Sequence, residues 1–196
     1  LRMQNGGNHP TDIYSGKGLP ADLKNNEFAG ANFKFLAANV LDTSTGQTVF
    51  PGVGIKNFLG NKVAFIGMTL EGTPTIVSPS GVAGLNFGDE ADTVNSLVPL
   101  LKAQGIQSIV VVVHEGGFPT VSGGQCTGIS GAILDIVNRL DPAVDLVISG
   151  HTHQEYNCLL NNSAGKPIRV TSAFQYARRL TNIDMVIDTK TKDVLS

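Results

Sequence analysis

Two short runs of branched apolar residues constrain the fold of this chain more than any other feature. Residues 109–113 and Val144–Ile148 are almost continuously apolar, which is the pattern of strands buried on both faces of a sheet. Between them, the apolar residues of 129–140 recur at helical spacing. A strand, a helix and a second strand in this order predict parallel strands joined by a crossover helix, and therefore an α/β fold.

The flanking segments extend the pattern. Residues 52–58 and 62–70 are predicted strands of a hairpin that turns at Leu59-Gly60-Asn61. Asp89 is predicted to cap a helix that kinks or ends early at Pro99. Residues 71–87 should form a loop. Further strands are predicted at 33–40, 168–172 and 180–187. We therefore expect α/β layering with antiparallel pieces at both ends.

Composition excludes several classes of function. The 196 residues are 41% hydrophobic, which is enough to bury a core, so we expect one domain over 1–196. A formal net charge of −2 provides no broad basic field for nucleic acid or an anionic membrane. No apolar run is long enough to cross a bilayer. The first residues include neither a starter methionine nor a signal peptide, so we expect the chain to begin inside a longer protein.

Three of the four histidines lie just past the ends of predicted buried strands. His114 comes after 109–113, and His151 and His153 come after Val144–Ile148. Ligands of α/β sheets gather at the carboxyl ends of strands, particularly where the chain order switches. Imidazole is the commonest metal ligand in proteins and suits zinc, iron, nickel or manganese. The pattern therefore predicts a metal site, although an ordinary strand-end residue remains the alternative for His114.

Glycines accompany these histidines. Gly116 and Gly117 would let the backbone pass close to an ion or a phosphate, and Gly150 permits a sharp turn. On an extended segment His151 and His153 would face the same way. Flexure at the strand end would instead direct them to two different ions.

Four segments carry a resemblance to a known family. Residues 147–153 (VISGHTH) and 112–117 (VVHEGG) resemble the last two signature motifs of calcineurin-like metallophosphoesterases. Residues 35–40 (FLAANV) and 64–69 (AFIGMT) look like the 5′-nucleotidase branch of that superfamily. The resemblance implies part of a four-layer α/β/β/α sandwich with mixed sheets, without its N-terminal strands. On this basis 1–196 is a truncated metallophosphoesterase domain that also lacks the separate nucleotide-recognition domain.

The resemblance also implies a chemistry. Such enzymes hydrolyse phosphate esters, here those of nucleotides, with a hydroxide activated by two divalent ions such as zinc or manganese, which lie roughly 3.5–4 Å apart. It would assign His114 and His151 to one ion and His153 to the other. Relatives are commonly exported, which implies an extracellular, periplasmic or cell-wall location.

The two cysteines allow two interpretations. Cys126 and Cys158 could be two buried thiols or one disulfide, and the residues alone leave both open. The resemblance to exported proteins favours the disulfide.

Part of the family's metal machinery is missing. No Asp-x-His occurs, and Gly88-Asp89 lies on the wrong side of the preceding strands to be the family's Gly-Asp motif. Gly7-Asn8-His9-Pro10 is similar to the family's Gly-Asn-His-Glu, with proline in place of the acid. We interpret it as a decoy, because it does not follow a buried strand. No catalytic residue is therefore assigned, and substrate-binding residues are unknown.

These gaps lead to alternative hypotheses. The chain belongs to a nucleotidase-like hydrolase, or it is a non-catalytic fragment with an incomplete metal site. Zinc hydrolases of the metallo-β-lactamase or amidohydrolase type also use His-x-His. In the metallo-β-lactamase type an Asp-His should soon follow this pair, and in the amidohydrolase type the pair should lie on the first strand of a barrel.

A truncated domain would also expose a sheet edge, which predicts self-association.

A few other polar residues have a structural and a functional interpretation. Asn39 should hydrogen-bond the backbone rather than bind metal. Glu115 could orient a ligand imidazole or be a solvated carboxylate. Arg178 and Arg179 could face a phosphate or point to water.

Overall fold

The computed structural model describes residues 33–121 and 123–196. The chain divides between Phe35 and Leu36 into two units. The first lies almost wholly outside the described residues, and all the helices and strands described belong to the second, Leu36–Ser196. No helix in the described part is both long and apolar enough to span a bilayer.

The second unit has a mixed sheet at its centre. The strands of this unit are β1 (Val40–Asp42), β2 (Val53–Phe58), β3 (Asn61–Met68), β4 (Leu85–Phe87), β5 (Ser108–Val113), β6 (Val144–Ile148), β7 (Glu155–Asn161) and β8 (Pro167–Ala173). Its helices are α1 (Thr73–Ile76), α2 (Glu90–Ala103) and α3 (Ile133–Arg139). Six strands form one sheet in the order β2-β3-β5-β6-β8-β7, while β1 and β4 form a separate antiparallel pair.

The six-stranded sheet is parallel at its centre and antiparallel at both edges. Strands β3, β5, β6 and β8 run parallel, β2 is antiparallel to β3, and β7 is antiparallel to β8. The predicted α/β class, mixed sheet and antiparallel end pieces are therefore confirmed. All four parallel strands end at the same edge of the sheet.

Alternation along the strands divides their side chains between two faces. One face packs against α2 and α3 in a core that includes Ile66, Ile109, Val111, Val147 and Val170. The opposite face carries Val63, Val110 and Leu146, and the C-terminal segment covers it in part with Ile183, Met185 and Ile187. Burial on both faces explains why β5 and β6 are apolar without alternation.

Helix α2 follows one prediction and departs from another. The side chain of Asp89 accepts a hydrogen bond from the backbone N–H of Asp92 at 2.8 Å, so Asp89 is the predicted N-cap. The helix nevertheless continues through Pro99 to Ala103, so the expected early end is wrong. Pro99 is exposed, and the carbonyl that loses its partner there can bond to water instead.

The hairpin is as predicted, and several other strand assignments need correction, among them the loop expected at 71–87, which contains the short strand β4. Leu59 and Gly60 connect β2 to β3 with φ angles of 52° and 89°, as a primed hairpin turn requires. Residues 33–39 form no strand, because the N–H groups of Ala37 and Ala38 bond to two different partners, Pro51 and Gly67.

The strand predicted at 180–187 is also absent. Residues 180–187 are not a strand: they contain a single bridge, from Ile187 to Val194, next to which the backbone of Val186 bonds to Leu195 and Ser196. Ile183, Met185 and Ile187 pack against the sheet, whereas Leu180 and Val186 are exposed. Conversely, β7 was not predicted, although Tyr156, Cys158 and Leu160 alternate with exposed residues in the period of a half-buried strand.

Candidate functional site

Two of the three histidines meet at the carboxyl edge of adjacent parallel strands. Strands β5 and β6 pair through Val112 and Ile148, His114 directly follows β5, and His151 follows β6 after a two-residue turn. The ring centroids of His114 and His151 lie 5.3 Å apart, with the ring planes 65° to one another. The parallel pairing therefore brings these imidazoles together, as the sequence predicts.

The third histidine lies beside the same pair. The ring of His153 packs edge-on against Tyr176, with centroids 5.3 Å apart. The pKa of His114 is lowered, first because burial disfavours the imidazolium and then because His151 and, more weakly, His153 oppose a further positive charge, while Glu115 acts in the opposite direction. His153 is therefore within electrostatic reach of His114.

The backbone of the His-Thr-His run is not extended. His151 and His153 have φ angles of 63° and 56°, in the left-handed region that non-glycine residues rarely adopt. The N–H of Thr152 bonds to the carbonyl of Gly150 at 2.7 Å, which closes a tight turn. Flexure at the strand end, rather than strand alternation, therefore sets where the two rings point. Such strain is characteristic of functional sites.

Gly116 allows the two histidine-bearing loops to touch. A Cβ at Gly116 would lie 2.3 Å from the carbonyl oxygen of Gly150 and 2.6 Å from Oγ1 of Thr152. The N–H of Gly150 also donates to the carbonyl of Glu115 at 3.2 Å. Gly116 is therefore needed because the two loops pack against each other at this point. The sequence predicts a different reason, which is that glycine lets the backbone pass close to an ion or a phosphate.

The remaining polar residues resolve into structural contacts. Asn39 makes three hydrogen bonds through its side chain, to the carbonyls of Thr69 and Gly88 and from the N–H of Thr69, at 2.6–2.8 Å, so its predicted backbone role is confirmed. Glu115 accepts from the N–H of Gly116 at 2.7 Å. Arg179 pairs with Glu155 at 3.1 Å.

A disulfide joins Cys126 to Cys158. It links the glycine-rich loop after His114 to β7, and the backbone of Gly124 bridges to Tyr156 beside it. The loop that follows the first histidine is therefore tied to an edge of the sheet.

An acidic group, which no local pattern in the sequence indicates, lies at the same sheet edge. Within residues 33–121 and 123–196, Glu71, Asp89 and Glu90 are the one group of three potential ligand side chains whose ligand atoms all lie within 4.8 Å of one another. Together with Arg139 they line a cavity of about 190 Å³. Glu90 accepts from the N–H of Glu71 at 2.7 Å, and Asp89 caps α2 and pairs with Arg139. Protein contacts thus already use two of the three carboxylates.

Among the described residues, the ring nitrogens of the three histidines do not all lie within 4.8 Å of one another. They are therefore not arranged as the ligands of one shared ion. His9, with the segment interpreted as a decoy, lies outside the described residues.

Comparison with known proteins places this chain among relatives of one family. Residues 6–155 match the family model of calcineurin-like phosphoesterases. Endonuclease YhcR of Bacillus subtilis (strain 168) is 32% identical over 195 residues, which cover all of this chain and 14% of that protein. A 5′-nucleotidase of Vibrio cholerae serotype O1 is 30% identical over 156 residues, covering 78% of this chain and 26% of that protein.

A solved structure agrees at the level of the fold. The crystal structure of a 5′-nucleotidase precursor from Thermus thermophilus matches with a TM-score of 0.64 at 22% identity, covering 85% of this chain and 32% of that one. The chain spans only 14% and 26% of the two relatives named above. From the matched residues and the shared fold, we conclude that this chain belongs to the calcineurin-like phosphoesterase family.

Proposed function

We propose that this chain carries part of the metal site of a metal-dependent phosphoesterase of the 5′-nucleotidase kind. The observation that supports it is the approach of His114 and His151 to 5.3 Å between ring centroids, with His153 close enough to influence the pKa of His114. In this proposal His114 and His151 bind one divalent ion and His153 binds a second.

The chemistry of the donors fits such ions. A histidine must have a neutral imidazole to bind a metal ion. The lowered pKa of His114 favours the neutral form at neutral pH. Imidazole nitrogen suits zinc, whereas manganese prefers oxygen ligands. When bound, a pair of divalent ions would polarise a phosphoryl oxygen and activate a water molecule. The contribution of this chain is to hold the imidazoles on rigid strand ends.

The proposed substrate is a nucleotide phosphate ester. The similarity to a 5′-nucleotidase of Vibrio cholerae over 78% of this chain supports this class. A disulfide between Cys126 and Cys158 is typical of an oxidising compartment, which supports an extracellular, periplasmic or cell-wall location.

The alternative is a chain that binds metal weakly and does not catalyse. Neutral imidazoles alone do not balance the charge of two close dications, and in the described part of the chain no carboxylate joins the three histidines in a compact group. This observation favours an incomplete site. In that case the chain would bind an ion without hydrolysing a phosphate ester.

Metal content and turnover separate the two possibilities. The chain is incubated with zinc or manganese, desalted and analysed for bound metal, with adenosine 5′-monophosphate and a generic phosphomonoester as assay substrates. We expect His114→Ala and His151→Ala each to reduce bound metal, while Asn157→Ala, an exposed change on β7, does not. Turnover by the unmodified chain supports the enzyme, and metal binding without turnover supports the incomplete site. Unchanged metal content in His151→Ala would contradict the ligand assignment.

A further inference from the structure

A buried tyrosine hydroxyl connects the two loops that carry the histidines. Tyr156 lies on β7 and is only 1% exposed. Its hydroxyl accepts a hydrogen bond from the N–H of Gly117 at 3.1 Å and lies 2.6 Å from Oγ of Ser149. Gly117 follows His114 by three positions, and Ser149 precedes His151 by two. One side-chain atom therefore contacts both loops.

The protons of this network have one consistent arrangement. Ser149 donates its single hydroxyl proton to the carbonyl of Thr171 at 2.9 Å, so Tyr156 must be the donor to Ser149. The hydroxyl of Tyr156 then accepts from Gly117 and donates to Ser149, and each donor in the chain has a partner. Burial raises the pKa of Tyr156, which keeps the hydroxyl protonated and able to donate.

The same loops are held at a second point. The carbonyl of Gly117 accepts a hydrogen bond from Oγ1 of Thr152 at 2.9 Å, and Thr152 lies between His151 and His153. The backbone N–H of Gly117 is therefore bonded to Tyr156, and its carbonyl is bonded to Thr152. Because Gly117 is itself buried, loss of either partner would leave a backbone group without water to replace it.

We propose that Tyr156 is a positioning residue for the metal site, whose hydroxyl fixes the loop after His114 against the loop of His151 and His153. This role rests on the proposed metal-binding function of the three histidines. Tyr156 acts through the backbone and does not itself serve as a ligand. Groups that orient metal ligands from outside the coordination shell contribute about 10- to 100-fold to metal affinity.

Tyr156→Phe tests the role, because phenylalanine keeps the ring in the core and removes only the hydroxyl. Ser108→Ala is the matched control. The hydroxyl of Ser108 is also buried and also bonds to the backbone, in this case to the carbonyl of Lys192 at 2.8 Å, but it lies at the opposite end of β5. Ser149→Ala breaks the same network from its other side. Each variant is titrated with cobalt(II) and zinc(II), and amide hydrogen exchange is followed at Gly117 without metal.

We expect Tyr156→Phe to weaken metal binding at least about tenfold, to alter the visible cobalt spectrum and to speed exchange at Gly117. Ser108→Ala should stay within about twofold of the unmodified chain in affinity. Tyr156→Phe combined with Ser149→Ala should lose little more than the larger single effect, since the two groups act as one unit.

The outcomes distinguish this role from the proposed function. If the unmodified chain binds metal and Tyr156→Phe binds it equally well, the positioning role is overturned while the metal site stands. If the unmodified chain binds no metal, the proposed function and the role built on it are both overturned. Unchanged exchange at Gly117 in Tyr156→Phe would overturn the structural link itself, whatever the metal does.

Discussion

Gly116 shows how a single residue determines the spacing of the two histidine-bearing loops. No side chain fits there, because the nearest atoms belong to backbone and to Thr152, which is already hydrogen-bonded to Gly117. We predict that Gly116→Ala lowers the free energy of unfolding by about 2 kcal/mol, the typical cost of overpacking, and weakens metal binding. Gly81→Ala is the control, since a Cβ at Gly81 meets nothing within 4 Å. Urea unfolding and metal titration measure both effects, and equal stability of the two variants would contradict the prediction.

Glu90 is a second residue with a specific consequence, this time for pH dependence. Burial raises its pKa above the ordinary value, so the folded state binds the proton more tightly than the unfolded state does. The stability that this provides is complete below the unfolded pKa and is lost as the pH rises through the folded pKa.

We therefore predict that Glu90→Gln stabilises the protein at pH 7 but has little effect at pH 4. Glutamine keeps an oxygen that can accept the hydrogen bond from the N–H of Glu71 and removes the buried charge. Urea unfolding at both pH values measures the difference, with Asp184→Asn, at an exposed carboxylate away from this group, as the control. A larger gain at pH 4 than at pH 7 would show that the sign is wrong.

At the scale of elements, β7 supports the site from outside the parallel strands. It carries Tyr156 and Cys158, so one strand provides both the hydroxyl that contacts the two loops and the covalent link to the loop after His114. Both side chains point into the core shared with α2 and α3. The edge strand thus determines how firmly the loops at the carboxyl edge are held.

We predict that removing the disulfide with Cys126→Ala and Cys158→Ala together lowers the free energy of unfolding by about 2–5 kcal/mol. The bond closes a loop with a sequence separation of 32, and its loss increases the entropy of the unfolded chain. Urea unfolding of the variant should match that of the unmodified chain in a strong reductant. If reductant leaves the unmodified chain unchanged, the disulfide does not contribute in this way.

At the scale of the whole second unit, the sheet is covered unevenly. Two helices pack on one face and an irregular segment covers part of the other, where Val112 remains 38% exposed. The outer side of β2 has no strand partner among the described residues. Unpaired strand edges are templates for association.

We predict that the chain self-associates through this edge at high concentration. Ile55 on β2 is 46% exposed, and Val186 outside the sheet is similarly exposed at 53%. Ile55→Lys should shift the chain toward monomer in sedimentation velocity experiments, while Val186→Lys should not. A mass that does not change with concentration in the unmodified chain would contradict the prediction.

Local patterns in the sequence were sufficient for the parts of the structure that depend on burial and near neighbours. The apolar runs of β5 and β6, the hairpin turn at Leu59 and Gly60 and the cap at Asp89 were all predictable, because each depends on a few adjacent residues. The approach of His114 to His151 also followed, since parallel neighbours end at one edge of a sheet. Tertiary structure decided the features that need a distant partner: the absence of a strand at 180–187, the left-handed turn at His151, and the bonds of Tyr156 to Gly117 and Ser149. Hydrogen-bond partners far apart in the chain are selected by packing, and no local period encodes that selection.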